Sequence, residues 1–146
     1  MNLRIRHLKK TDQKAVIDLM REFYSSEAVS TNGSDEIFLR DINECTAGSP
    51  YAEGYVFEIN GEIVGYAMLA KSFCTEFGKR AVWIEDIFIK KEYRSQKIGS
   101  QFIEHVIKKY DGYIIRLEVE KDNQNAIALY EKHGFTYLPY SEMKRE

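Results

Sequence analysis

Residues 84–100 read IEDIFIKKEYRSQKIGS, and this stretch decides which fold the chain takes. The apolar residues up to Ile89 are typical of a buried strand, and a short polar loop leads directly into a helix that begins near Ile98. A loop that opens into a helix presents backbone N–H groups without intrahelical partners, at the positive end of the helix dipole. The stretch therefore predicts an anion site at the helix start, suited to a pyrophosphate.

The side chains of the same loop agree with an anion site. Arg94 and Lys97 add positive charge, and Ser95, Gly99 and Ser100 are small enough to let a phosphate approach the backbone. The residues alone leave a second interpretation open, an ordinary charged helix start, because short glycine motifs are weakly specific.

On both sides of this stretch, hydrophobic periodicity and turn residues predict the element order β α α β β β α β α β. Strands are predicted at residues 3–7, 55–59, 62–70, 80–89 and 113–119 and in the tail after Gly134. The first helix is predicted from an N-cap at Thr11 or Asp12 to Tyr24, and the second from an N-cap at Ser34 or Asp35 to Cys45. The last two helices are predicted at residues 98–110 and 125–133. Asn60-Gly61 is a strong hairpin signal between the second and third strands. An antiparallel meander that runs into a strand–helix–strand unit predicts a mixed α/β fold.

Length and composition limit the possible functions. A chain of 146 residues fits one domain, residues 1–146, and its net charge of −2 argues against nucleic-acid binding through bulk positive charge. The sequence has no apolar run near the ~20 residues that span a bilayer, and Cys45 and Cys74 lack metal-site spacing. We therefore expect a cytoplasmic protein that binds no metal, nucleic acid or membrane.

Two segments resemble the signature motifs of the GNAT superfamily of N-acetyltransferases. Arg94-Ser-Gln-Lys-Ile-Gly99 is similar to the acetyl-coenzyme A motif Arg/Gln-x-x-Gly-x-Gly/Ala, with Lys97 in place of the middle glycine. Residues 123–135, NQNAIALYEKHGF, carry every anchor of the second motif, Asn-x-x-Ala-x-x-Leu/Phe-Tyr-x-x-x-Gly-Phe. The resemblance implies a GNAT-like domain, with a mostly antiparallel twisted sheet splayed between strands 4 and 5 and about four flanking helices.

The resemblance also implies the reaction, in which an amine attacks the thioester of acetyl-coenzyme A directly. Tyr130, which shares a helix face with Ala126, is implied as the general acid that protonates the leaving thiolate. The backbone of the fourth strand is implied to pair with the pantetheine arm. The implied cosubstrate-binding residues are Ile87, Phe88, Ile89, Arg94, Ser95, Gln96, Lys97, Ile98, Gly99, Ser100, Asn123, Ala126 and Tyr130.

Two carboxylates and water compete for the role of general base. Residues 83–89, WIEDIFI, look like the diamine and polyamine acetyltransferases, which carry a matching Glu-Asp pair. Glu118 instead resembles the glutamate of ribosomal-protein N-terminal acetyltransferases, whose following arginine is Glu120 here. We favour Glu85 as the base, with Asp86 helping to attract a cationic amine.

The sequence also indicates the class of acceptor. Candidate acceptor-binding residues are Asp86, Tyr24, Glu27 and Glu118, and the acidic residues of the first two predicted helices and their loop favour a small cationic amine. One alternative is a protein or peptide N-terminal acetyltransferase, and another is a non-catalytic module that senses coenzyme A. A homodimer is expected by analogy with related diamine enzymes.

Overall fold

The computed structural model describes residues 1–26, 28–29 and 33–146, and within them the chain forms five strands and four α-helices. The strands are β1 (Leu3–His7), β2 (Ala52–Ile59), β3 (Glu62–Cys74), β4 (Lys79–Ile89) and β5 (Ile114–Leu117), and the helices are α1 (Gln13–Tyr24), α2 (Asp35–Thr46), α3 (Ile98–Lys109) and α4 (Gln124–Lys132). The strands lie in one sheet in the order β1-β2-β3-β4-β5. The predicted mixed α/β fold is confirmed.

The first four strands are antiparallel to their neighbours, and β4 and β5 are parallel. The turn between β2 and β3 is Asn60-Gly61, and both residues have positive φ, +51° and +82°. Two such residues match the right-handed twist of the flanking strands. Parallel neighbours need a crossover, and α3 provides it between β4 and β5.

The register of β4 changes at Glu85, in the middle of the strand. Met68 of β3 pairs with Asp86, and the next residue, Leu69, pairs with Ile84. Glu85 is therefore the extra residue of a β-bulge, which bends a strand and redirects the side chains that follow.

The bulge reverses the alternation of side chains along β4. Val82 and Ile84 belong to the core beneath α3, and beyond the bulge Ile87 and Ile89 pack against that same core. Phe88 joins the other core, under α1 and α2. Because alternate residues of a regular strand share a face, Ile84 and Ile87 would otherwise lie on opposite faces.

The pairing of β4 with β5 covers only four positions, from Ala81↔Ile114 to Ile84↔Leu117. β4 continues to Ile89, so the two strands part at the bulge. Backbone groups on this side of β4 are left available to another partner. The predicted splay between strands 4 and 5 is confirmed.

A polar cluster ties the end of α3 to the sheet. The carboxylate of Glu53 on β2 accepts hydrogen bonds from the Tyr110 hydroxyl (2.6 Å), the Lys109 ammonium (2.9 Å) and the Tyr55 hydroxyl. Burial alone raises the pKa of Glu53, but these hydrogen bonds outweigh it and lower the pKa to about 2. The cluster holds α3, and with it the anion site at the opposite end of that helix, against the sheet.

The predicted strand in the C-terminal tail is wrong. Residues 135–146 form no strand, and Pro139 lacks the N–H group that a ladder needs. The tail is instead anchored by a side chain: the Tyr140 hydroxyl donates to Glu76 Oε2 at 2.6 Å, in the turn between β3 and β4. That hairpin also extends beyond the predicted residue 70, since β3 continues to Cys74.

Candidate active site

The gap between β4 and β5 opens into a cleft of about 520 Å³. Its walls are β4 beyond Ile84, the start of α3, the segment after β5, one face of α4 and the loop after α1. The predicted residues that line it are Glu85, Ile87, Phe88, Ile89, Arg94, Gly99, Glu118, Asn123, Ala126 and Tyr130. The fold thus brings both motifs and both candidate bases to one cavity.

The loop before α3 takes a conformation suited to an anion. Ser95 and Lys97 have φ of +63° and +64°, and Lys97 is the N-cap of α3 without a side-chain capping hydrogen bond. Left-handed residues next to a helix start turn successive N–H groups toward one point. These groups, at the positive end of α3, are positioned to bind a phosphate.

Arg94 holds the anion site against β4, and Gly99 allows α4 to pack beside it. The Arg94 Nε donates to the backbone oxygen of Ile89 at 2.8 Å, and its guanidinium lies 5.3 Å from the centroid of the Phe88 ring. A Cβ at Gly99 would lie 3.1 Å from Cδ2 of Leu129, so a small residue lets α3 approach α4 closely. The two helices can therefore share one side of the cleft.

The other predicted cosubstrate residues of the loop surround this turn. Ile98 is 1% exposed and belongs to the core, so only its backbone is available to a ligand. Ser100 Oγ lies 3.2 Å from His133 Nε2 and joins α3 to the end of α4. Gln96 is exposed between the two left-handed residues. Their contacts with coenzyme A stay a prediction.

We expect Lys97→Gly to stabilise the protein and to weaken coenzyme A binding. Left-handed backbone costs a non-glycine residue about 1–2 kcal/mol, and glycine's greater freedom in the unfolded chain cancels part of this, leaving a gain of about 1 kcal/mol. Loss of the ammonium should weaken coenzyme A binding by about 2- to 5-fold, as for an exposed charge pair. Urea unfolding and calorimetry measure the two effects.

Lys97→Ala is the matched control, because it removes the charge and keeps the side-chain carbon that causes the strain. It should lose affinity without gaining stability. A Lys97→Gly protein that is less stable than the wild type would contradict the strain argument.

Helix α4 places Tyr130 at the cleft. The helix begins where the Asn123 side chain accepts a hydrogen bond from the Ala126 N–H at 3.3 Å, an N-cap contact. Tyr130 is 8% exposed, and its ring lies 5.8 Å from that of Phe135. Burial raises the pKa of Tyr130 to about 12, so its phenol remains a proton donor at neutral pH.

Both candidate bases line the cleft with raised pKa values. Glu85 is exposed at the cleft surface, but the surrounding walls limit its hydration and raise its pKa, as do the charges of Asp86 and Glu142. A hydrogen bond with Glu142, together with burial and the charges of Glu142 and Glu85, raises the pKa of Glu118 to about 7. A carboxylate that titrates near neutral pH suits proton transfer.

Asp86 is buried beside the cleft and is 6% exposed. Its carboxylate accepts hydrogen bonds from the Tyr66 hydroxyl at 2.6 Å and the Tyr24 hydroxyl at 3.0 Å. Burial raises the pKa of Asp86, and the two hydrogen bonds counteract it. The predicted acceptor residues Asp86 and Tyr24 thus bind each other, and their contact with an acceptor stays a prediction.

Asp41, which lies near Asp86, and several residues that line the cleft were not predicted from the sequence. Asp41 of α2 is half-buried, and burial with the charges of Asp86 and Glu85 raises its pKa to about 6. Its position three residues after the core residue Phe38 is a helix-face signal that could have identified it. Glu27, predicted for the acceptor, lies outside the described residues. Further lining residues are Phe23, Ser26, Ala28, Ile84, Val119, Glu120, Asp122, Asn125 and Leu129.

The residues around the cleft fit acetyl-coenzyme A. The left-handed turn before α3 presents N–H groups to a pyrophosphate. The side of β4 beyond the bulge has no β5 partner and can pair with an amide-containing arm. The cleft volume falls within the range of about 300–1,000 Å³ typical of small-molecule sites.

Two further features are absent from residues 1–26, 28–29 and 33–146. In this part of the chain, no group of three or more His, Cys, Asp or Glu residues could hold a metal ion. No helix there has the length and apolar character needed to cross a membrane.

Comparisons with known proteins identify the family of the chain. The profile of the acetyltransferase (GNAT) family matches residues 14–135. A probable spermine N(1)-acetyltransferase of Bacillus subtilis subsp. natto is 28% identical over 143 residues, covering 94% of this chain and 90% of that protein. The thialysine N-epsilon-acetyltransferase of Bos taurus is 31% identical over 152 residues, covering 94% of this chain and 86% of that protein.

The fold is also similar to a solved structure, AAC(6')-Iy in complex with the bisubstrate analog CoA-S-monomethyl-acetylneamine. The TM-score is 0.81 at 16% identity, over 100% of this chain and 99% of that one. With the family profile covering most of the chain and both motifs lining one cleft, the chain belongs to the acetyltransferase (GNAT) family and is an N-acetyltransferase that uses acetyl-coenzyme A.

Proposed function

We propose that the chain acetylates a primary amine of a small cationic acceptor, by direct attack of the amine on acetyl-coenzyme A. The proposal rests on one observation, that the protonated Tyr130 and the carboxylates Glu85 and Glu118 line the same cleft. The relatives named for spermine and thialysine support a small cationic acceptor. Several carboxylates at or beside the cleft would attract such a cation.

The cosubstrate supplies the activated acetyl group, and residues of this chain would orient it. The N–H groups at the start of α3, with Arg94 and Lys97, would hold its pyrophosphate. The backbone of residues 87–89 would bind its pantetheine arm. Because β4 leads from Ile89, next to this loop, back to Glu85, the strand connects the anion site with the carboxylates.

Tyr130 and Glu85 would move the two protons of the reaction. An amine with a lysine-like pKa is mostly protonated at pH 7, and freeing its lone pair costs about 4–5 kcal/mol. Glu85 would accept that proton directly or through water, and the Tyr130 phenol would donate a proton to the leaving sulfur. Backbone N–H groups of β4 beyond the bulge would bind the acetyl oxygen.

We expect Glu85→Gln to lower kcat/KM at pH 7 by about 10-fold, because water can partly replace an exposed general base. The pKa of Glu85 is raised, so the carboxylate becomes protonated as the pH falls through that raised value. The wild-type rate should therefore decline on the acidic side, and the variant should lose that decline. Steady-state pH–rate profiles measure both effects.

Glu118→Gln, measured beside it, separates the two candidate bases. A profile that is unchanged in Glu85→Gln and altered in Glu118→Gln would assign the base to Glu118. Profiles unchanged in both variants would leave water as the base.

A second candidate function is a protein or peptide N-terminal acetyltransferase. Glu118, the residue that resembles those enzymes, lines the cleft with a pKa of about 7. Coenzyme A release should be compared across spermine, 1,4-diaminobutane, an aminoglycoside, free amino acids and N-terminal peptides. We expect the highest kcat/KM for the di- and polyamines, and a higher value for a peptide would overturn the proposed acceptor class.

The homodimer and the cytoplasmic location stay predictions. Gel filtration with light scattering would test the homodimer, and fractionation of cells that express the chain would test the cytoplasmic location.

A further inference from the structure

The carboxylate of Asp86, the residue directly after the β-bulge of β4, binds two tyrosines on the α1–α2 side of the sheet. The Tyr66 hydroxyl of β3 donates to it at 2.6 Å, and the Tyr24 hydroxyl of α1 donates to it at 3.0 Å. Asp86 is 6% exposed and Tyr66 is 0% exposed. The two hydrogen bonds therefore attach one end of the bulge to the neighbouring strand and to a helix, where little water competes for them.

These hydrogen bonds can form only when β4 carries the bulge. Ile84 belongs to the core beneath α3, and alternate residues of a regular strand share a face. Without the bulge, Asp86 would lie on the same face as Ile84, among apolar and aromatic side chains and away from Tyr24 and Tyr66. Burial of a carboxylate without partners is strongly unfavourable. Asp86 therefore favours the bulged register over the regular one.

The same register decides where Glu85 lies. Glu85 is the extra residue of the bulge, since Met68 pairs with Asp86 and Leu69 pairs with Ile84. In this position it is exposed and lines the cleft. In a regular strand, Glu85 would lie on the face opposite Ile84 and would take the direction that Asp86 has in the structure. The position of Asp86 thus keeps Glu85 at the cleft.

We infer that Asp86 is a positioning residue: its buried hydrogen bonds with Tyr66 and Tyr24 hold the β-bulge, and the bulge holds the general base Glu85 in the cleft. This inference rests on the proposed function, which assigns the base to Glu85. Asp86 itself transfers no proton. It acts on the reaction through the backbone that it shares with Glu85.

The kinetic test is a double-mutant cycle of Tyr66→Phe with Glu85→Gln, measured in single turnover with acetyl-coenzyme A and spermine. Phenylalanine keeps the buried ring and removes the 2.6 Å hydrogen bond. We expect Tyr66→Phe to lower the rate by about 3- to 10-fold when Glu85 is present, the effect of one hydrogen bond. The loss should be less than about 2-fold in Glu85→Gln, because no base is left to position.

Tyr110→Phe is the matched control. The Tyr110 hydroxyl also donates to a carboxylate at 2.6 Å, that of Glu53 on β2, and Tyr110 is 8% exposed. Its effect on the rate should be the same in both backgrounds, because it does not act through Glu85. Tyr24→Phe removes the longer hydrogen bond from a less buried site, and it should repeat the Tyr66→Phe pattern with a smaller loss.

The second readout is the acidic decline of the pH–rate profile, which the proposed function assigns to Glu85. We expect a smaller decline in Tyr66→Phe, because a displaced carboxylate contributes less to the rate, and an unchanged decline in Tyr110→Phe. Both variants keep the carboxyl groups that interact with Glu85, which are Asp86 of β4, Asp41 of α2, Glu118 after β5 and Glu142 of the tail. A role of Tyr66 in stability alone would leave the decline unchanged.

The same data distinguish failure of this inference from failure of the proposed function. If the acidic decline is lost in Glu85→Gln, but Tyr66→Phe costs the same in both backgrounds and keeps the decline, the inference is overturned and the proposed function stands. If the wild type transfers no acetyl to spermine, or keeps its decline in Glu85→Gln, the proposed function or its base is wrong, and the inference fails with it.

Discussion

The Tyr130→Phe variant is expected to lose about 100-fold or more in kcat, within the roughly 10²–10⁴-fold range of general acid–base catalysis. Its affinity for acetyl-coenzyme A should change by less than about 3-fold, because phenylalanine keeps the buried ring and its packing against Phe135. The loss falls on turnover because the hydroxyl is the group that would protonate the leaving sulfur. Single-turnover rates and calorimetry measure the two quantities.

The control for this variant is Tyr137→Phe. Tyr137 lies seven residues further along the chain and is 66% exposed, so removing its hydroxyl should leave both quantities unchanged. Equal single-turnover rates in Tyr130→Phe and the wild type would remove Tyr130 from the chemistry.

The Gly65→Ala variant is expected to be less stable by about 3 kcal/mol, at the upper end of the usual cost of overpacking. A Cβ at Gly65 would lie 2.5 Å from the backbone oxygen of Phe88 and 2.8 Å from Cδ2 of Phe57. The first neighbour is backbone, so β4 itself must move. That displacement occurs in the strand that would bind the pantetheine arm, so acetyl-coenzyme A affinity should fall as well.

Gly61→Ala is the matched control, because it replaces a glycine of the same sheet without creating a steric clash. Gly61 has φ of +82° and open space around it, so alanine there should cost about 1 kcal/mol and leave acetyl-coenzyme A affinity unchanged. Thermal and urea unfolding compare the two variants. Equal stabilities of the two variants, with unchanged cosubstrate affinity in both, would contradict this account. They would show that the close contact of Gly65 with the backbone of Phe88 does not position β4.

The order of elements could be predicted because their boundaries depend on local chemistry. Asn60-Gly61 supplies the positive φ values of a hairpin, and Ser34 and Asn123 cap α2 and α4 through their own side chains. The tail could not be predicted in this way. Its apolar residues resemble a strand, but its position depends on Tyr140 reaching a turn 64 residues earlier in the chain.

The β-bulge at Glu85 could not be predicted from the sequence either. The strand carries isoleucine at positions 84, 87 and 89, so its apolar pattern looks the same with or without a bulge. The pattern therefore does not show that one extra residue changes the face on which these side chains lie. The pairing of Glu85 with Asp86 in the predicted acceptor site comes instead from the resemblance to the Glu-Asp pair of the diamine and polyamine acetyltransferases, since neighbouring residues of a regular strand lie on opposite faces. The structure separates them: Glu85 lines the cleft, and Asp86 is buried between two tyrosines.

More of the residues that line the cleft could be predicted on the proposed cosubstrate side than on the proposed acceptor side. The α3 and α4 motifs are local spacings, and the helix geometry places their residues at one cavity. Asp41 and Glu142 approach the carboxylates only through the tertiary fold, and each is far from Glu85 in sequence. The proposed acceptor site depends on such long-range contacts, which no local pattern encodes.

We propose that acetyl passes from coenzyme A to a cationic amine within the β4–β5 cleft, without a covalent acetyl-enzyme intermediate. A single-turnover experiment with acetyl-labelled coenzyme A and spermine tests it most directly. We predict that all of the label moves to the amine, that coenzyme A appears at the same rate, and that no label remains on the protein. Tight binding of acetyl-coenzyme A with no transfer to spermine or to any other amine tested would contradict the account.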